Sequence, residues 1–419
     1  MKAGYLSEFF TGVGVKTLSS VEADPSVSRQ HEFNGAKPLV AIFGERNEKQ
    51  KFDTLFIYLS DSDDEPVVAK GSLTWYNSRV PKPTTKKRAP EYRCYFPTNE
   101  VSMVAAAGDL LVVGRRPDNS VLVVIAQGGS TIASQVQWLF SVQLEHKGFS
   151  VREELETEQD RIHFASAFIL EQLGIEPDNP VAAENYLDTM LTRFGGELPT
   201  TNLFSAYARE TVPELDPIAD PDAALLGWME REEILFRTME KHLLGDRLQK
   251  GFADDVDGFL AFSLAVQNRR KSRSGHALEN HLQVIFTANQ IRFERGATTE
   301  GKSKPDFLFP GSIEYKDAGY NAALLTMLGA KTTCKDRWRQ VLAEAKRIDH
   351  KHLLTLEAAI SAHQTDEMQA HNLQLVIPRG LHSTFTPTQQ RTLLDLAAFT
   401  AMVREREGRA GFGLGTPLA

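Results

Sequence analysis

Three charged residues stand at or near the ends of short apolar stretches between 305 and 348, and their order limits what this part of the chain can fold into. Asp306 follows a proline in PDFLFPG, so it is predicted at the head of a β-strand. Lys331 closes LLTMLGAK, near the end of a second predicted strand. Glu344 lies inside a predicted helix from Asp336 to Ile348. Two adjacent strands and a helix would bring an acid, a lysine and a second acid to one place. Those are the parts for hydrolysing a phosphodiester. Carboxylates hold Mg²⁺ on the scissile phosphate, and a cation positions the attacking water and offsets the developing charge. Such centres usually carry the second carboxylate two residues before the lysine. That position is Gly329 here, so Glu344 has to replace it from the helix.

A chain of 419 residues is too long for one typical core, and two domains are the default. No apolar run reaches about 18 residues, so no transmembrane helix is expected, and MKAGYLSEFFTGVG lacks a secretory apolar core. Cys94 and Cys334 fall in different predicted domains, which argues against a disulfide framework and fits a reducing cytoplasm. No Cys/His cluster has zinc spacing, and no phosphate-cradling GxxxxGKS or Rossmann glycine pattern occurs, so no nucleotide cofactor is expected. The net charge of −8 argues against a nucleic-acid partner only until it is located. Residues 150–199 hold eleven Asp and Glu against three arginines, which is the whole excess. The rest is balanced and carries basic clusters, and affinity for phosphate follows local surface rather than the sum.

Residues 1–145 read as mostly β: PLVAIFG, TLFIYLS, VVAKGSLTWY, YRCYFP, GDLLVVGRR and SVLVVIAQ recur between turn clusters, suggesting a small barrel or sandwich. Within them, 76–93 is a Pro-rich loop with Arg79, Lys82, Lys86, Lys87, Arg88 and Arg93 between Tyr76 and Tyr92. It is a candidate DNA contact, or else a solvated loop. Residues 150–200 read as an acidic, helical hinge. Helices are predicted over 222–245, over GFADDVDGFLAFSLAVQNRR and over 276–288. Strands follow at IRFERG, DFLFPG, TMLGAKTT, LLTLE and LQLVIP. TPTQQRTLLDLAAFTAMVRERE closes the pattern as one terminal helix with a Thr cap.

Longer words carry more. NRRKSRSG at 268–275, TEGKSKPDFLFP at 299–310, KTTCKDRWRQ at 331–340, HLLTLEAAIS at 352–361 and LQLVIP at 373–378 together resemble the EcoRII-type restriction endonucleases over most of residues 200–405. The resemblance implies a multidomain type IIE enzyme. Its catalytic domain, 201–419, would be an α/β PD-(D/E)XK restriction-endonuclease-like domain with an αβββαβ core. The word YNSR also resembles the family's effector domain, so 1–149 is expected as an all-β B3-like pseudobarrel binding a second DNA site. The hinge, 150–200, would lie between them. It is expected to lie against the basic run Arg269–Arg273 and hold a closed form. The expected partners are double-stranded DNA, at CCWGG or a close variant cut before the first C, and a second copy of the chain through the catalytic domain. The expected setting is a prokaryotic cytoplasm.

The residue roles follow. Asp306 and Glu344 would hold Mg²⁺, with Lys331 as the catalytic lysine. Glu279, in GHALENHL, would complete the centre as it does in the family, or is a surface helix charge. Lys335, Asp336 and Arg337 start a helix directly after the lysine strand. Arg and Lys pair with guanine O6 and N7, and Asp accepts from cytosine N4. The family reads its CC/GG halves with the corresponding residues. Asp336 as a plain helix N-cap is the other reading. Arg269, Arg270, Lys271 and Arg273 read as phosphate contacts, which position without specifying. Trp338 reads as a packing residue. Related enzymes flip the central base pair, and Trp228 is a candidate receiver of such a base, or a core tryptophan. A DNA-binding regulator that kept the fold and lost catalysis is the competing function, opposed by the intact Asp306, Lys331, Glu279 and Glu344.

Overall fold

The computed structural model describes residues 2, 4–23, 31–46, 48–62, 66–79, 89–142, 144, 148–176, 180–334 and 337–412, without the side chains of 164, 168 and 180–185. The chain divides into two compact units, Met1–Asp178 with Ala359–His363, and Asn179–Ala358 with Gln364–Ala419. Among the described residues, no helix is long and apolar enough to cross a membrane.

The first unit is built on one sheet. Its strands are β1 (Gly12–Thr17), β2 (Glu32–Phe33), β3 (Gln50–Leu59), β4 (Val67–Asn77), β5 (Tyr92–Tyr95), β6 (Leu110–Arg115), β7 (Val121–Ala126) and β8 (Ser150–Arg152). They lie in the order β2-β5-β4-β3-β7-β6-β1-β8. All neighbours are antiparallel except β3 and β7. Alternation along β7 explains its unbroken apolar sequence. Val121, Val123 and Ile125 enter one core, while Leu122, Val124 and Ala126 enter the other. A strand buried on both faces has no polar side to show. The second of these cores is covered by α1 (Thr131–Phe140) and α2 (Phe164–Gln172), through Val136, Leu139, Ile169 and Leu170.

Two sequence expectations change here. PLVAIFG is not a strand. Pro38 opens a 3₁₀ turn, Lys37–Leu39, that runs into a short helix, Val40–Phe43, and Gly44 at φ +78° ends it. Proline early and glycine at the stop is the helix asymmetry, and a five-residue apolar run cannot itself tell helix from strand. The acidic hinge 150–200 is also divided. Ser150–Arg152 pairs with β1, and Leu155, Ile169, Leu170 and Leu173 lie in the first unit's core. Asp160 is buried, accepting from Thr157 N and Oγ1 and pairing with Arg152 at 2.9 Å. Apolar positions, not the net charge, decide where this segment belongs. The later part, α3 (Pro180–Phe194), lies in the second unit.

That unit continues with α4 (Thr201–Glu210), α5 (Pro221–Lys250) and α6 (Val256–Ala288). The two helices expected before the sheet are thus one, and the run Arg269–Arg273 lies in its middle. A mixed sheet follows, ordered β13-β12-β11-β10-β9, from β9 (Glu294–Arg295), β10 (Phe307–Phe309), β11 (Thr326–Lys331), β12 (Lys351–Thr355) and β13 (Leu373–Val376). β9, β10 and β11 are antiparallel, and β11, β12 and β13 are parallel. Between β11 and β12 lies the short α7 (Trp338–Leu342), and α8 (Leu396–Arg409) closes the unit. Phe286 of α6 meets Phe307 and Phe309 edge-on at 5.2 and 5.3 Å, and Phe399 of α8 meets Phe309 at 5.7 Å. This aromatic cluster fixes β10, and with it Asp306.

The expected terminal helix is broken. Thr386 caps a single turn, Pro387–Gln390, and α8 restarts under Asp395, which accepts from Ala398 N. Between them Leu394 exchanges backbone bonds with Leu375 and Ile377, so this stretch extends the sheet instead.

Candidate active site

Asp306 precedes β10 and lies one step beyond the pair Phe307↔Leu328, opposite Gly329. Its Oδ2 accepts from Ala330 N and from Lys331 Nζ, both at 2.7 Å. The described hydrogen bonds therefore load one oxygen and leave Oδ1 to a further partner. The antiparallel pairing of β10 with β11 is what brings the first acid and the lysine together.

Why the second acid is not at 329 is a matter of space. A Cβ on Gly329 would come 2.9 Å from Val341 Cγ2 and 3.5 Å from Leu353 Cδ1. Val341 belongs to α7 and is fully buried, so α7 is seated directly on the glycine. Gly329→Ala is expected to lower the unfolding free energy by about 1–3 kcal/mol, the scale of overpacking a core. A denaturant titration checks this, and an unchanged midpoint would mean α7 is not seated there.

Glu344 follows the end of that same helix. It lies in the bend after α7, not inside a helix reaching Ile348, because α7 stops at Leu342. Its carboxyl is pushed up to about 7, chiefly by burial and then by Asp306, with Lys331 and Lys351 pulling the other way. Asp306, Lys331 and Glu344 therefore share one electrostatic neighbourhood. Lys351, buried at the start of β12 and with its own pKa lowered chiefly by burial, was not anticipated. A lysine opening an apolar strand carries no spacing signal.

The donor set suits a hard cation. Mg²⁺ is commonly held by one or two carboxylates together with waters and substrate phosphates, not by a closed protein cage. Asp306 and Glu344 would be those carboxylates. Among the described residues, no group of three or more His, Cys, Asp or Glu could hold a metal on its own.

Glu279 is not among these contacts. Its Oε2 accepts from Arg295 Nε and Nη2 at 2.9 and 2.7 Å, and Arg295 also reaches Asn280. Arg295 precedes Gly296, whose N donates to Asp306 O at 3.1 Å, so Glu279 lies one strand out from Asp306.

Of the expected reader, Lys335 and Asp336 lie outside the described residues. Arg337 is exposed, and its N donates to Cys334 O at 2.8 Å. The turn before it is tied down from β12: Cys334 N donates to buried Glu357, and Thr355 Oγ1 donates to Thr332 O at 3.4 Å. Trp338 is buried, as expected of a packing residue.

Other expectations are corrected by burial and pairing. Trp228 is 3% exposed, packed on His281 at 5.6 Å with Arg209 over its ring, so no base can reach it. Arg270 pairs with buried Glu240 at 2.7 Å. Arg273 turns inward, over Phe204 and Phe236 and donating to Pro199 O. Only Arg269 and Lys271 of that run are exposed. In the first unit, Arg79 pairs with Glu91 at 2.5 Å and Arg93 with Glu32 at 2.8 Å, so neither is free for phosphate as it stands. Lys82, Lys86, Lys87 and Arg88 lie outside the described residues.

Residues 236–400 match the family model described as EcoRII C terminal. The chain is 43% identical over 183 residues to the type II restriction enzyme EcoRII of Escherichia coli, covering 43% of this chain and 45% of that one. It therefore spans less than half the length of this relative. Among solved structures, metal-depleted Ecl18kI in complex with uncleaved, modified DNA matches at 16% identity with a TM-score of 0.44, covering 55% of this chain and 86% of that one. The restriction endonuclease PspGI–substrate DNA complex matches at 13% identity with a TM-score of 0.43, covering 51% and 94%.

Proposed function

We propose, from the premise that residues 236–400 belong to the EcoRII C-terminal family, that this chain is a type II restriction endonuclease. The observation that carries the reading is the Asp306–Lys331 pair at 2.7 Å with Glu344 beside it. Asp306 and Glu344 would hold Mg²⁺. When bound, that ion would neutralise charge on the scissile phosphate and make a coordinated water a better nucleophile. Lys331, fixed by Asp306, presents its ammonium where the attacking water and the growing phosphate charge meet. The 2.7 Å ion pair keeps it there with no reorganisation during the reaction, which is the condition for electrostatic stabilisation to count. Glu279, steadied by Arg295, is the fourth member of the centre and its third acid. Arg337, with Lys335 and Asp336, reads G·C pairs in the major groove, and exposed Arg269 and Lys271 hold phosphates.

The site is CCWGG or a close variant, cut before the first C on each strand by a dimer of the catalytic domain. A palindromic site asks for a two-fold protein. The first unit, as a B3-like domain, binds a second copy of the site as effector. Digestion of a defined genome with Mg²⁺, followed by sequencing of the ends, tests this. Ends at one short motif with equal offsets on both strands are expected. Scattered ends, or nicks on one strand alone, would sink it.

A further inference from the structure

Glu344 stands on a short loop between α7 and β12. α7 has already stopped, and Ala345 sits at φ +45°, a left-handed conformation that costs any residue with a Cβ. The loop's own described backbone bonds are Glu344 N to Val341 O at 3.2 Å and Ile348 N to Ala345 O at 2.9 Å.

Side chains add bonds that hold this backbone, most of them from elsewhere in the same unit. Tyr315 is buried on the short helix Ser312–Lys316. Its hydroxyl donates to the Glu300 carboxylate, 2.7 Å from each oxygen, and accepts from Arg347 N at 3.2 Å. Glu300 Oε2 accepts from Lys346 N at 3.3 Å. The Arg347 guanidinium turns back to the carbonyls at the end of the Tyr315 helix, donating to Tyr315 O, to Asp317 O and to Tyr320 O. Lys351 Nζ donates to Ile348 O at 2.8 Å and closes the far end. The backbone is thus gripped at 346, 347 and 348, two to four residues after Glu344.

We propose that Glu300, Tyr315 and Arg347 are positioning residues that hold the loop carrying Glu344, and so keep its carboxylate in place to bind the metal. The assignment rests on the metal role proposed above for Glu344. It differs from a plain structural role because the grip falls on main-chain atoms of the Glu344 loop. It also explains how the acid displaced from position 329 is kept in register without a helix beneath it.

The test is a double-mutant cycle on the full chain, read by calorimetric titration of Mn²⁺. Tyr315→Phe keeps the ring and removes the hydroxyl. It is expected to weaken Mn²⁺ binding about tenfold or more, the scale for groups that orient a metal ligand. The Mg²⁺ concentration for half-maximal DNA cleavage should rise by a similar factor, while DNA binding without metal stays unchanged. In a Glu344→Ala background, Tyr315→Phe should have no further effect on Mn²⁺. Glu300→Gln, which keeps the shape and loses the charge, should move binding in the same direction and serves if Tyr315→Phe does not fold. A lowered melting temperature with unchanged Mn²⁺ affinity would overturn the proposal, as would an equal loss in the Glu344→Ala background. If Glu344→Ala itself binds Mn²⁺ as tightly as the parent, the metal role of Glu344 falls, and the clamp's purpose with it.

Discussion

Replacing Lys331 by alanine is expected to abolish cleavage while leaving binding to the cognate duplex largely intact. The ammonium lies 2.7 Å from Asp306, and its proposed role is on developing charge, not on sequence reading. Loss of one such stabiliser costs roughly 10²-fold or more in rate. Asp306 keeps its bond from Ala330 N in the variant, so the strand pairing should survive. Cleavage is followed on a labelled duplex in Mg²⁺, and binding by gel retardation without metal. A variant that cuts at the parental rate would place the centre elsewhere. One that loses binding and cleavage together would make Lys331 a DNA contact.

Arg337→Ala is expected to weaken binding to cognate DNA far more than to random DNA. Arg337 is exposed at the start of α7, just past the turn that Glu357 and Thr355 tie to the end of β12. A bidentate contact to guanine discriminates by about 1–3 kcal/mol, or roughly 5- to 150-fold. Competition binding on matched cognate and scrambled duplexes separates the cases. Equal loss on both would make Arg337 a phosphate contact, because such contacts position without specifying.

The residues that proved legible are those whose placement depends on short-range pattern. Asp306 and Lys331 meet because each flanks a strand that apolar content alone identifies, and those strands pair as neighbours. Glu344 was singled out by its distance along the chain, but its setting was not legible. The helix was expected to run through it, whereas the backbone after Ala343 is captured by Glu300 and Tyr315, far away in sequence. Charge runs misled for a related reason. Arginine says nothing about which acid it will meet, and Arg270 meets Glu240 while Arg93 meets Glu32. The acidic stretch after 150 looked like a solvated hinge, yet Leu155, Ile169 and Leu170 draw its first half into a core. Trp228 shows the limit of reading a lone aromatic. Its helix buries one face, and the sequence of α5 does not reveal what packs on it.

Whether Asp306, Lys331 and Glu344 form a metal-dependent centre that cuts DNA at a specific site is tested most directly by incubating the full chain with supercoiled plasmid carrying several candidate sites, with Mg²⁺ and with a chelator. Discrete linear fragments in Mg²⁺ and intact supercoiled DNA in the chelator are the expected result. Intact plasmid in both, while the protein still retards the same sequence on a gel, would contradict it and leave the chain a binding protein on a nuclease fold.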